Sequence, residues 1–436
     1  MTMPRADFVS AQGTRLVRHG QPYFVSGANY WQAMNLGMAA GPSSDRSRVL
    51  HDLAALSSRG INTVRILAAT EGSQYGRQPD RIYPALMTSP GKYDAAVFAG
   101  LDWFLAQLPR HNMSAVVSLS NYWTWSGGAA QYVSWATDTA IPYPVQWDHV
   151  NQVFAGGDYQ RYLDYAGRFY ADPDLYNTTQ AWFRDHIRAV VTRRNTVTGI
   201  EYRDDPSILA WELMNEPQII DSASLAGHDQ LFEWIDSTAS LIHALDPHHL
   251  VTTGAESKNG EQWFNAMHKS KHITLASCHF WPLNWGLYNS TDPTLDSVDY
   301  SIRKMNLFVD SIGRWSRQLD KPCVLFEYGL MRDNWGPEAG LGAYSPAAPV
   351  THRNRFYAAV ADAVVGNCRS EESAFAGAGF WAYAGTARPP RVPTEQISWT
   401  GDPPHEPPGW NSVFDSDTAT LSIINEFSQR LSNCQQ

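Results

Sequence analysis

Cysteine is scarce in this chain and basic charge is short. Of 436 residues only four are cysteines: Cys278, Cys323, Cys368 and Cys434. None forms a C-x-x-C pair, and no Cys/His cluster has zinc spacing, which sets aside zinc modules and disulfide-framed miniproteins. Cys278 and Cys323 lie in apolar runs and read as small buried hydrophobes. The even count leaves a Cys368–Cys434 bridge open. Formal net charge is −10, from 33 basic and 43 acidic residues. That balance argues against nucleic acid and anionic membrane surfaces as partners. No uncharged apolar run is long enough to span a bilayer. Met1–Ser10 lacks the charged start and apolar stretch of a signal peptide. No G-x-S-x-G elbow is present, which argues against a serine hydrolase of the α/β type. His268 and His272 have the i, i+4 spacing of helix metal ligands. No glutamate lies between them, however, and Lys269 and Lys271 flank them, so they read as surface histidines.

What is abundant is apolar and aromatic. The hydrophobic fraction is 43%, with 17 Trp and 20 Tyr, enough for a large core and for sugar-stacking faces. No internal repeat, low-complexity tract or linker divides the chain, so 1–436 reads as one domain. Apolar runs alternate with helical patterns from end to end. Strands are expected at Phe24–Asn29, Asn62–Leu67, Ala115–Ser120, Ile208–Leu213, Leu250–Thr253, Thr274–His279, Cys323–Glu327 and Gly379–Tyr383. Helices are expected at Asp45–Ser58, Asp94–Leu108, Thr179–Arg193, Leu231–Ala244, Val298–Arg317, Arg353–Val365 and Ala419–Leu431. This alternation predicts an α/β fold, a (β/α)8 TIM barrel. An open doubly wound sheet would show a Gly-rich phosphate turn after its first strand; Gly27-Ala28-Asn29-Tyr30-Trp31 stands there instead. A small N-terminal β-hairpin around Gly13 is expected to cap the barrel bottom. Long loops follow strands 3 and 8, at Tyr122–Asn177 and Ala384–Thr418, on the end where barrel enzymes build their sites.

Two of the apolar runs end in carboxylates. Trp211-Glu212-Leu213-Met214-Asn215-Glu216-Pro217 closes strand four, and Pro322-Cys323-Val324-Leu325-Phe326-Glu327-Tyr328-Gly329 closes strand seven. A charge at the end of a core strand is costly without a task or a partner. Two such groups on separate strands suit a pair acting on one glycosidic bond. Arg65, at the end of strand two, is placed to pair with Glu327 and keep it ionised. Glu212 lies deeper and reads as half of a buried hydrogen-bonded pair. Glu71 and Glu256 follow strands two and five and are further candidates to line the cleft.

The chain resembles glycoside hydrolase family 5, in its β-mannanase branch, from about Phe24 to Phe427. The two glutamate segments carry the resemblance. Gly27–Trp31, Val64-Arg65, Gly128–Trp135, Cys278-His279-Phe280-Trp281-Pro282 and Phe380-Trp381 support it. The resemblance implies Glu216 as acid/base and Glu327 as nucleophile. It implies Asn215 as the residue that holds the sugar 2-hydroxyl and steadies the nucleophile. Arg65 and His279 become members of the site, and Trp381 the platform under the sugar. Trp31, Trp123, Trp281 and Trp285 are further aromatic candidates for sugar contact. Two positions depart from the pattern. Gln218 stands where many mannanases have Arg. Trp281 stands where a Tyr hydroxyl often bonds the nucleophile, a role that then falls vacant or passes to Tyr328. The implied reaction is retaining, with carboxyl groups roughly 5–5.5 Å apart and no metal or cofactor. The expected partner is β-mannan or manno-oligosaccharide. Endo-cutting is favoured as the family's commoner activity, with exo-release of mannose or mannobiose as the alternative. Rival readings are a β-glucan or glucomannan hydrolase and a non-catalytic carbohydrate-binding protein. A secreted or periplasmic location is implied by the family alone.

Overall fold

The computed structural model describes residues 7–72, 81–218, 225, 228–335, 345–392, 394 and 396–435. Eight parallel strands form its centre: β1 Val25–Asn29, β2 Thr63–Leu67, β3 Ser114–Ser118, β4 Ile208–Glu212, β5 Leu250–Thr252, β6 Ala276–Phe280, β7 Cys323–Tyr328 and β8 Phe375–Phe380. Their order is β5-β4-β3-β2-β1-β8-β7-β6. The amides of Thr274 and Leu275 reach the Val251 carbonyl at 2.9 and 3.1 Å and close the remaining seam between β5 and β6. All eight strands are buried along their length, as parallel strands under a coat of helices must be. The (β/α)8 expectation holds.

The bottom of the barrel is sealed by apolar side chains. Val25, Val116, Ala210, Leu250, Leu275 and Val324 meet Val9 and Leu16 from the N-terminal segment. That segment pairs Ser10–Gln12 with Arg15–Arg18, and Gln21–Pro22 adds a third short strand to the expected hairpin.

Helices begin where the side chains can cap them. Asp45 accepts from the Arg48 amide ahead of helix Arg46–Ser57, and Asp94 from Ala96 and Val97 ahead of Ala95–Leu105. Asp172 caps the longer helix Pro173–Val191, which starts six residues before the expected Thr179 because Pro173 sits at its first turn. The long segment after β3 is not structureless. It holds helices Gly128–Thr137 and Tyr159–Ala171 and a hairpin of Gln146–Asp148 with Val153–Ala155.

Three expectations are corrected. Strand eight runs Phe375–Phe380 rather than Gly379–Tyr383, and Tyr383–Gly385 pairs separately with Val413–Phe414. Its two glycines mimic a turn in the sequence. Gly377 in fact sits at φ +134°, where a Cβ would lie 2.0 Å from the Val25 carbonyl, so only glycine lets β8 close on β1. His268 is fully buried rather than a surface residue. It ends helix Glu261–His268, bonding the Phe264 carbonyl and the Thr253 hydroxyl, and burial lowers its pKa to about 3. His272 lies past the helix end, so the pair shares no helical face. The four thiols are all free, so no Cys368–Cys434 bridge forms.

Candidate active site

At the C-terminal ends of the strands one arginine organises the floor of a pocket. Arg65 is aligned across the sheet with Asn29 on β1 and Val116 on β3. Its Nε and Nη2 donate to the two oxygens of Glu212 at 2.8 and 2.7 Å. Nη1 donates to Glu327 Oε1 at 2.5 Å and to Asn29 Oδ1 at 3.0 Å, and Nη2 also reaches Asn215 Oδ1 at 2.7 Å. All the donors of the guanidinium are thereby used. Ser118 donates to Glu212 as well. The deeper carboxylate is thus a structural partner, as expected.

Glu327 ends β7 with its side chain inward, opposite His279 on β6. Its second oxygen accepts from Trp281 Nε1 at 3.0 Å. The indole therefore fills the place of the missing tyrosine hydroxyl. Tyr328 does not fill it. One residue further along the strand, Tyr328 points the other way, into the layer under the helices, with its ring 5.0 Å from that of Tyr357. The expectation of Tyr328 in the site is corrected by strand alternation alone.

Glu216 lies four residues past β4. The chain there is held by the Asn121–Asn215 bridge and by the Glu216 amide on the Gly254 carbonyl at 2.9 Å. Its backbone is left-handed, φ +50°, at a cost of about 1 kcal/mol or more for a non-glycine residue. One oxygen meets His279 Nδ1 at 2.7 Å and the other accepts from Trp123 Nε1 at 2.6 Å. Glu216, His279 and Glu327 offer atoms that all lie within 4.8 Å of one another. Such a trio is able to ligate a cation. One of its members already shares Arg65, and two of them are carboxyls brought together from separate strands.

The electrostatics separate the two carboxyls. Burial raises the Glu216 pKa to about 8, and the charge of Glu256 adds to the rise; Trp123, Lys258 and Arg65 oppose it. Burial also raises Glu327, but His279 and Arg65 pull it back. His279 is itself held below its ordinary value by burial, so near neutral pH Arg65 is the standing cation beside Glu327.

The aromatic candidates divide. Trp381 and Trp281 meet edge to face at 6.1 Å in the wall over Glu327. The Trp381–Ala382 peptide is cis. Trp123 lies between Glu216, to which it donates, and the stacked rings of Tyr159 and Tyr162. Trp285 is half-buried, bonds Glu256 Oε1 at 3.2 Å and lies beside that carboxylate. Trp31 is only 2% exposed, and its N–H is taken by the Gly401 carbonyl, so it braces the wall against Trp399 instead of facing the gap. Asn215 spends its oxygen on Arg65 and one N–H on Asn121, reaching Glu327 only through the arginine. Glu71 does not line the gap. It is buried and binds the Gly128 amide under the turn after β3.

Several residues of the site escaped the sequence. Asn29 holds Arg65 and donates to the Phe326 and Phe380 carbonyls. Trp125 lies between Trp31, Trp381 and His405. Glu406 is half-buried, with its Oε2 buried and unpartnered; desolvation and the charges of Asp402, Glu327 and Glu216 raise its pKa well above the usual carboxylate range. Asn29 ends β1, where only its register with Arg65 gives it its part; Trp125 and Glu406 are placed by loops, which no local pattern marks.

The loops after β3 and β8 clasp one another. The Trp147 amide bonds the His405 carbonyl at 3.1 Å, His149 Nε2 meets the Pro404 carbonyl at 2.5 Å, and Phe154 packs on Trp410 at 5.4 Å. His405 lies parallel to Trp125 at 6.2 Å. Asp402 fastens the β8 loop internally through the Gly409 and Asn411 amides and the Ser412 hydroxyl.

Known proteins share this architecture. The profile of the GH family 5 β-mannosidase-like group matches residues 6–436. A glycoside hydrolase family 5 mannosidase from Rhizomucor miehei is 38% identical, with a TM-score of 0.90 over 99% of each chain. A mutant of that enzyme solved with mannosyl-fructose superposes equally well, at 0.90, 38% identity and 99% of each chain. Mannan endo-1,4-β-mannosidase 2 from Oryza sativa subsp. japonica is 30% identical over 86% of this chain and 77% of its own length. The chain is a glycoside hydrolase and belongs to family 5, in its β-mannosidase-like group.

Proposed function

We propose that the enzyme is a retaining, exo-acting β-mannosidase that removes mannose from the ends of manno-oligosaccharides. Glu327 attacks the anomeric carbon as the glycosidic C–O bond breaks, and Glu216 gives its proton to the departing oxygen. Glu216 then takes a proton from water, whose oxygen displaces Glu327 from the sugar. The separation of the two carboxyls, within 4.8 Å between their nearest oxygens, supports a direct attack, since an inverting pair needs room for water. Their unequal environments support the division of labour: the acid is held protonated, the nucleophile is paired with Arg65. Once Glu327 carries the sugar, its negative charge beside Glu216 is gone and Glu216 is better suited to act as base.

The observation that carries the exo reading is the clasp between the two long loops. The leaving group departs on the side of Glu216 and Trp123, so the transferred sugar lies against Trp381. Trp125 and His405 pack beyond Trp381 and the clasp lies beyond them, which supports an enclosed end with room for one sugar. The relatives divide between mannosidase and endo-mannosidase; the Rhizomucor miehei enzyme is a mannosidase, and endo-cutting is kept as the second reading on the plant relatives. A time course on mannohexaose labelled at its reducing end distinguishes them, with Glu216→Ala as blank. Free mannose and a labelled ladder shortened one unit at a time are expected. Mixed middle-length products from the outset overturn the exo reading.

A further inference from the structure

A crevice next to Glu216 along the chain is lined by Pro217, Gln218, Ala255, Glu256, Lys258 and Trp263. Its centre is a charge pair: Lys258 Nζ donates to Glu256 Oε2 at 2.6 Å. The pair is tied to the site from three strands. Gln218 Nε2 reaches Glu256 Oε2 at 3.1 Å and the Glu216 carbonyl at 3.2 Å. The Glu216 amide rests on Gly254, two residues before Glu256, and the His279 amide on the Glu256 carbonyl. Trp285 Nε1 holds the other carboxylate oxygen at 3.2 Å. Ser257, left-handed at φ +64°, folds the turn and bonds the Ser277 carbonyl on β6 at 2.8 Å. A turn so fastened holds two charges at fixed places beside the acid.

We propose that Glu256 and Lys258 are positioning residues of opposite sign for Glu216, together deciding at which pH it gives up its proton and stops serving as acid. The proposal rests on the reading of Glu216 as acid/base. Other charged and titratable groups face Glu216 from every packed element. Arg65 comes from β2, committed to Glu212 and Glu327. From β4 comes Glu212, bidentate on that arginine. His279, on β6, is uncharged near neutrality, and Glu327 is on β7. From the β8 loop comes Glu406, held protonated, and from the helix after β3 comes Tyr159, whose phenol burial keeps neutral. Within this set, the turn after β5 brings a carboxylate and an ammonium that are not consumed by the nucleophile. Lys258 keeps Glu256 ionised against its burial, and the negative charge of Glu256 in turn favours the protonated form of Glu216.

Opposite signs give an opposite-sign test. The pH dependence of kcat/KM on mannobiose is measured for wild type, Glu256→Gln, Lys258→Met and the double variant. Glu256→Gln keeps the shape and removes the negative charge; its alkaline limb is expected to move down by about one pH unit. Lys258→Met removes the opposing charge, while Gln218 and Trp285 still donate to Glu256 and hold it ionised at the alkaline limb, so the limb is expected to move up. The double variant is expected between them, with the acid limb unmoved throughout. Limbs that stay in place, or that move the same way in both single variants, overturn the proposal, whatever happens to KM or to thermal stability. If Glu256→Gln does not fold, the direction of the Lys258→Met shift decides alone. Failure of the underlying reading is separately visible: Glu216→Ala would then keep the wild-type alkaline limb and near-normal turnover.

Discussion

Trp281 donates its indole N–H to Glu327 Oε2 at 3.0 Å, on the opposite side of the carboxylate from Arg65. A hydrogen bond to a buried charged group contributes about 2 kcal/mol. Trp281→Phe keeps most of the ring and removes the donor. The expected outcome is a roughly thirtyfold fall in kcat/KM, the equivalent of that energy. The bond favours the ionised carboxyl, so its loss also moves the acid limb of the pH profile upward. An acid limb that stays in place would separate Trp281 from the ionisation of Glu327.

Arg65 is the only cation in direct contact with both Glu212 and Glu327 among the described residues. Lysine offers three donors where the guanidinium offers a planar fork matched to Glu212. Arg65→Lys is therefore expected to leave a buried carboxylate incompletely paired, at about 3–5 kcal/mol of stability. Chemical denaturation measures this, and activity is expected to fall below detection even where the protein remains folded. Near-normal turnover in the folded variant contradicts the arrangement.

Glu71 gives a stability prediction away from the chemistry. Burial raises its pKa from 4.5 to about 7, while the Gly128 amide and Arg81 oppose the shift. Between those values the unfolded chain ionises this carboxyl and the folded chain keeps it protonated. Its contribution to stability is therefore full below about pH 4.5 and is lost as pH rises toward 7, with a slope of at most about 1.4 kcal/mol per pH unit. Glu71→Gln removes the titration. The difference in unfolding free energy between variant and wild type is expected to grow in favour of the variant from pH 5 to 7. A difference constant with pH refutes the assignment.

The parts legible in the sequence share one property: their partners are set by the barrel itself. His279 and Glu327 stand one residue from the ends of β6 and β7, Trp381 directly after β8 and Glu216 four residues past β4, where apolar runs give way to polar residues; Arg65 is the exception, a charge in the middle of the apolar run of β2. Strand alternation was equally available, and applied to Tyr328 it would have turned that side chain away from the site. The residues that stay hidden are placed by loop-to-loop contact or by strand register. Glu406 reaches the pocket only because Trp147 and His149 hold its neighbours, and Asn29 matters because β1 aligns it with Arg65. The observed strand eight differs from the expected one because Gly377 and Gly379 read as a turn in sequence, although they allow tight strand contact.

The clasp makes the exo reading testable by surgery. Hairpin 146–155 carries Trp147, His149 and Phe154, which contact His405, Pro404 and Trp410 of the β8 loop. The hairpin projects from the barrel as an antiparallel pair outside the eight-stranded sheet, so its removal leaves the barrel strands intact. Replacing 146–155 by a short Gly/Ser turn opens the wall behind Trp125 without touching Glu216 or Glu327. On labelled mannohexaose the shortened enzyme is expected to yield mannobiose and middle-length fragments early, where the full chain yields mannose first. Its KM for mannobiose is expected to rise, because the transferred sugar loses its enclosure, while kcat on a dinitrophenyl mannoside changes less. If mannose remains the sole early product, the end of the pocket is closed by the β8 loop alone, and the hairpin has no part in the choice between end and middle of a chain.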